Sequence, residues 1–256
     1  MNKALDNLVV VMPLAGRSQR FKEVGVMTPK PLIEVAGTPM IRRATGSLSF
    51  FALVPPENIV AVVRPEDVED YQIDRELRTL FPGITVLTDE NPCGATGTAL
   101  VARDYIPHRA HLLIMDGDIW FRSAAYEELL LDPCVEVAGA IPVFTAEGER
   151  WSFSAVDASS LIKRIIEKRR IEVPGCTLLA NVGFYYFSQG ANFLKYAEAA
   201  LEQTPSGAEC YLSNVVQEMI EDGLAFRAAM CESVMDMGTP ASHSQATAYF
   251  AALDSS

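Results

Sequence analysis

Long apolar runs are missing from this chain of 256 residues, and with them any stretch near the roughly 18 to 20 residues that a membrane-spanning helix needs. The opening MNKALDNLVVVMPLAG lacks the small-residue cleavage pattern of a secretory leader, so a cytoplasmic location with no membrane attachment is expected. Cysteine is sparse and scattered. Cys93, Cys134, Cys176, Cys210 and Cys231 form no C-x-x-C pair, which argues against a zinc site and a disulfide framework and leaves reduced, structural thiols. Positive charge is also short, 21 Lys and Arg against 33 Asp and Glu, and the net charge of −12 would repel a polyanion over a broad surface. Nucleic acid is not expected as a partner, and any phosphate must be held by a local gathering of cations. Both standard nucleotide fingerprints, G-x-x-x-x-G-K-[ST] and G-x-G-x-x-G, are absent, which weighs against a Walker-type phosphotransferase and a dinucleotide oxidoreductase.

What is present is enough apolar residue, 49%, to bury a sizeable core. Short β-rich runs at 8–14, 58–63, 84–87, 111–115, 135–143 and 181–187 alternate with helical patterns at 39–51, 67–80, 97–105, 124–131, 191–203 and 213–221. That alternation predicts an α/β, Rossmann-like three-layer fold whose central sheet is mostly parallel, or mixed, with helices on both faces. No repeat or low-complexity linker interrupts it, so one domain over 1–256 is expected. In such sheets ligands bind outside the carboxyl ends of the strands.

Charged residues fall at those ends. The first run opens into LAGRSQRF, where Gly16 and its small neighbours let the backbone approach a ligand and expose amides to an anion. Arg17 and Arg20 add charge, and Lys30 follows between Pro29 and Pro31, which restrict its direction. HLLIMDGDIWF carries Asp116 and Asp118 out of an apolar strand, well placed for Mg²⁺, which takes one or two carboxylates plus phosphates and water. Asp236, in VMDMGTP, is either a second metal ligand or the cap of a helix starting near Thr239.

LAGRSQRF followed by PKPLIEVAGTPMI resembles the opening signature of the sugar-phosphate nucleotidylyltransferases, or nucleoside-diphosphate-sugar pyrophosphorylases, of the glucose-1-phosphate thymidylyltransferase type. Further pieces follow in order through nearly the whole chain: DENPCGATGTAL, the Gly117-Asp118 pair, Glu167-Lys168, LANVGFYYF, ECYL and VMDMGTP. The resemblance implies a nucleotide-diphospho-sugar transferase fold, with a nucleotide half near 1–120 and a sugar-phosphate half near 121–256. It implies a reaction in which a sugar 1-phosphate attacks the α-phosphorus of a nucleoside triphosphate and releases pyrophosphate. By this likeness Leu14, Ala15, Gly16, Arg17, Ser18, Gly97, Thr98 and Asp118 hold the nucleotide, and Glu167, Lys168, Asn181, Gly183 and Glu209 the sugar phosphate. Arg20 and Lys30 neutralise phosphates, while Asp118 and Asp236 hold Mg²⁺; Asp116 either assists them or only supports the turn. No general base is needed, so His108, His111 and His243 have no catalytic role.

Some positions depart from the family pattern. Ser18 and Gln19 stand where many members have glycine, Ser213 and Asn214 follow ECYL where the family often has Asp or Thr-Asp, and Val234 replaces a tryptophan ahead of Asp236. Three other readings stay open: a glycosyltransferase using Asp116-Gly117-Asp118 as D-x-D, a cytidylyltransferase acting on a phosphate such as phosphocholine, and a nucleotide-binding module without turnover. The base, the sugar and the oligomeric state, homo-oligomer included, are not readable.

Overall fold

The computed structural model describes residues 3–132 and 137–254. Its centre is the strand Leu8–Pro13, whose β-branched residues are buried on both faces. Val10 and Met12 enter one hydrophobic cluster, Val9 and Val11 the other, as the twofold period of a strand requires. Ile59–Val63 and His111–Met115 flank it in parallel, and Thr85–Thr88 extends the sheet beyond Ile59–Val63. Helices fill the crossovers: Pro65–Tyr71 and Ile73–Leu80 on one connection, Gly94–Leu100 on the next. The single helix expected over 67–80 is broken at Gln72, which takes a left-handed conformation at φ 52.

Ten strands form the large sheet among the described residues. The predominance of parallel pairing suggested by alternation holds only for this first half: four pairings of the sheet are parallel and six antiparallel. The α/β class with a mixed central sheet stands. In the second half Gly139–Phe144 runs parallel to Phe226–Met230, whereas Ser152–Val156, Leu161–Glu167 and Thr177–Asn181 form an antiparallel run without helices between them. Thr177–Asn181 also pairs with Val143 and Phe144, so five strands close on themselves. The strand expected over 135–143 begins outside the described residues, as does Cys134, and continues as Gly139–Phe144.

The strand expected over 181–187 is two strands, Thr177–Asn181 and Phe184–Phe187, separated at Gly183 with φ +91. A second, two-stranded ladder joins Ile119–Arg122 to Ser233–Asp236. No helix among the described residues is long and apolar enough to cross a membrane.

Candidate active site

The loop after Leu8–Pro13 is tethered at its start, where the Leu14 N–H donates to the Val62 carbonyl at 2.7 Å. Leu14 and Ala15 are buried, so only their backbone can face a ligand. Leu14 is also a support: its Cδ2 lies 2.8 Å from where a Cβ on Gly117 would sit, beneath the Asp116–Asp118 turn. Gly16 and Arg17 are exposed. Ser18 adopts the left-handed region at φ 55, the conformation glycine would take without strain, and its hydroxyl accepts the Lys30 N–H at 3.3 Å. The one-turn helix Gln19–Lys22 then buries Phe21 and leaves Arg20 on the rim of a cleft. Pro29 and Pro31, both buried, bracket Lys30 at the start of a short 3₁₀ turn, and its ammonium pairs with Asp118.

Asp118 and Asp236 lie far apart in sequence and meet through the two-stranded ladder. Asp236 pairs with Ile119, and the Met237 N–H donates to the Asp118 carbonyl at 2.8 Å. Gly238 shows how close the groups are. A Cβ there would lie 2.6 Å from Asp118 Oδ2, 3.1 Å from Asp236 Oδ1 and 3.3 Å from Lys30 Nζ. Asp236 accepts from the Gly238 N–H at 2.8 Å and from Arg150 at 2.6 Å. Its alternative role as helix cap is not what the chain uses: Thr239 caps Pro240–Leu253, in a reciprocal box with Ser242. Val234, in the place of the expected tryptophan, pairs with Phe121 in the ladder.

Asp116 lines the same cleft, pressed against the Gly183 backbone so closely that a Cβ on Gly183 would lie 2.2 Å from its Oδ2. Burial, then the neighbouring charge of Asp118, push its carboxyl from 3.8 to about 8; Lys30 opposes the shift and Glu167 adds to it. A carboxyl whose folded pKa lies above its unfolded value keeps a proton that the unfolded chain has lost, so stability declines as pH rises from about 4 to about 8. In chelator-treated protein the thermal midpoint is expected to fall across that range, and Asp116→Asn to lack this part of the fall. Equal slopes in the two proteins would contradict it.

The opposite wall comes from the second half of the sheet. Glu167 ends the strand Leu161–Glu167 and accepts from the Ser213 hydroxyl at 2.6 Å, so the departure at Ser213 supplies a donor to this acid. Lys168, at φ 50, is exposed; its ammonium donates to the Tyr211 hydroxyl at 2.7 Å, which in turn donates to Glu209 at 2.6 Å. Partial burial lowers the Lys168 pKa, but the Tyr211 hydrogen bond and the nearby Tyr211, Glu167 and Glu209 outweigh it, and the net shift is upward. Asn181 is buried, with Oδ1 accepting from Ser154 at 2.6 Å and Nδ2 donating to Ser152 at 3.1 Å.

Of the residues expected at the site, Arg20, Lys30, Asp118, Asp236, Glu167, Asn181 and Gly183 line one cleft. Lys168 and Glu209 stand outside its lining, joined to it by Tyr211. Gly97 and Thr98 lie outside that lining, as do residues 14–18: a Cβ on Gly97 would face Cys93 and Leu201, and Thr98 is buried with its hydroxyl on Asp89 at 2.8 Å. The first turn of Gly94–Leu100 turns Ala95 to the cleft and the following residues inward. The sequence reading missed Arg150, Trp151 and Tyr185 as cleft residues. Arg150 and Trp151 precede a strand, Ser152–Val156, whose serines hide it from an apolar-run criterion, and the Arg-Trp pair was the one usable signal.

No group of three or more His, Cys, Asp or Glu among the described residues has a metal-holding arrangement. The two carboxylates around Gly238 are the donor set that Mg²⁺ accepts when substrate phosphates and water supply the rest.

Fold and cleft together define the class as an α/β nucleotidyltransferase. Two solved structures share the fold. A nucleoside-diphosphate-sugar pyrophosphorylase from Vibrio cholerae RC9 has TM-score 0.77 at 18% identity, over 94% of this chain and 100% of that one. A Bacillus anthracis protein assigned as a glucose-1-phosphate thymidylyltransferase, solved with sucrose, has TM-score 0.72 at 17% identity, over 95% of each chain. Residues 10–205 match the MobA-like NTP transferase domain, and the chain belongs to that family. A curated relative, the bifunctional protein GlmU of Methanococcus maripaludis, is 23% identical over 211 residues. That match covers 82% of this chain but 46% of GlmU, so the chain spans about half the relative's length. The family resemblance drawn from the motifs is thereby borne out.

Proposed function

We propose that this nucleotidyltransferase joins a nucleoside triphosphate to a sugar 1-phosphate, giving a nucleoside-diphosphate sugar and pyrophosphate. The observation that carries the reading is the convergence of Lys30, Asp118 and Asp236 on the space beside Gly238, with Glu167, Asn181 and Ser213 on the facing wall. An oxygen of the acceptor phosphate attacks the α-phosphorus, the bond to the β-phosphate oxygen breaks, and pyrophosphate departs with that electron pair. No proton moves, because the attacking phosphate is already ionised. Such a reaction asks for positioning and charge neutralisation between two anions.

The loop amides of Ala15 to Ser18 and the Arg20 guanidinium hold the triphosphate tail. Lys30 sits between the reacting phosphates. Glu167, oriented by Ser213, and Asn181 receive the sugar hydroxyls, while Tyr211 directs Lys168 to the acceptor phosphate from the rim. Asp118 and Asp236 would hold Mg²⁺, which neutralises phosphate charge when bound. The deciding experiment is a pyrophosphate-release screen of the common triphosphates against sugar 1-phosphates and phosphocholine with Mg²⁺. Release with a sugar 1-phosphate that is abolished by EDTA is expected. Release with phosphocholine alone, or none with any pair, would overturn the reading.

A further inference from the structure

Both carboxylates proposed to hold the metal already carry a counter-ion: Lys30 on Asp118, and Arg150 on Asp236 with Nη2 at 2.6 Å from Oδ2. The roles assigned above leave Arg150 without a task. It comes from the connection between Gly139–Phe144 and Ser152–Val156 and lies over the indole of Trp151, Cζ 4.1 Å from the ring centroid. Trp151 is itself fixed edge-on against Phe144 at 5.1 Å.

The two partners differ in freedom. Arg150 keeps 45% of its side chain exposed and Asp236 only 15%, and the other Asp236 oxygen is held by the Gly238 N–H. The guanidinium can leave; the carboxylate stays. A divalent cation arriving at Asp236 competes with Arg150 for the same negative charge, and the cation–π platform keeps the displaced guanidinium at the cleft. Arg150 lines the same cleft as Ser152, Asn181 and Glu167, together with Arg20 and Lys30. Its planar fork of donors suits a phosphate monoester.

Resting on the function proposed above, we infer that Arg150 is a further catalytic residue: it neutralises Asp236 until a metal binds there and then transfers to the acceptor's phosphate. Two variants test this. Arg150→Met keeps the stem on Trp151 and removes the charge; Arg150→Lys keeps the charge and loses the fork.

With Mn²⁺ alone, followed by the electron paramagnetic resonance of the free ion, Arg150→Met is expected to bind at least about threefold tighter than wild type, because the competing cation is gone. With inorganic phosphate titrated calorimetrically into Mn²⁺-loaded protein, Arg150→Met is expected to bind at least about tenfold more weakly, with Arg150→Lys between. Mn²⁺ affinity that is equal or weaker in Arg150→Met, undetectable binding by both proteins included, overturns the proposal. So does phosphate affinity short of that loss. Neither readout needs turnover, so both judge Arg150 even where the pyrophosphate screen finds no active pair, a result that counts against the sugar 1-phosphate reading alone.

Discussion

Replacing Lys30 by alanine is expected to slow pyrophosphate release by at least about a hundredfold, roughly 2.7 kcal/mol of barrier, while the thermal midpoint moves little. The size follows from the task. As two anions approach, one ammonium between them stabilises charge that is greatest in the transition state. Lys30 is also fixed in direction, with buried prolines on both sides and its N–H on the Ser18 hydroxyl. The small stability effect follows from exposure: the Lys30 and Asp118 side chains keep 27% and 28% of their surface, and a pair that accessible adds little to folding. The measurement is single-turnover pyrophosphate release beside a melting curve. A loss under about tenfold, roughly 1.4 kcal/mol, would remove Lys30 from the transition state.

Gly238→Ala is expected to be as damaging to turnover as any carboxylate substitution, about a hundredfold or more, although it adds only one methyl group. That methyl would sit 2.6 Å from Asp118 Oδ2 and 3.1 Å from Asp236 Oδ1, inside contact distance of both. The obstructed atoms are ends of side chains, including Lys30 Nζ at 3.3 Å, and these can turn aside at low cost to the fold. Gly238 has no left-handed backbone to strain. The variant should therefore fold as wild type and lose both metal-dependent activity and Mn²⁺ affinity. If it kept more than about a third of wild-type activity, the space beside Gly238 would not be where the reaction is arranged.

The first half of the fold was legible because its strands are unbroken apolar runs with helices between them, the pattern a sheet covered on both faces imposes. The second half was not. Leu161–Glu167 reads LIKRIIE, with Lys163 and Arg164 exposed in mid-strand, and Phe226–Met230 is short and alanine-rich; neither shows a clean period. Ser154, fully buried in Ser152–Val156, looks like a surface residue until Asn181 is seen to satisfy its hydroxyl. Gly97 and Thr98 lie outside the cleft lining because a motif names a segment, whereas the phase of the helix decides which residues of it reach the cleft.

By itself the amino-acid sequence determined the α/β class and the collection of cations after the first strand, because apolar periodicity and small-residue turns are local properties of a chain, and its motifs named the charged groups of the cleft except Arg150. Only the tertiary structure decided which of those groups meet. Asp118 and Asp236 become neighbours through a backbone ladder between distant segments, Arg150 reaches Asp236 from a third, and Gly238 leaves the room they share. Pairing between strands far apart in sequence depends on register and closure of the whole sheet, and no single stretch of residues contains that information.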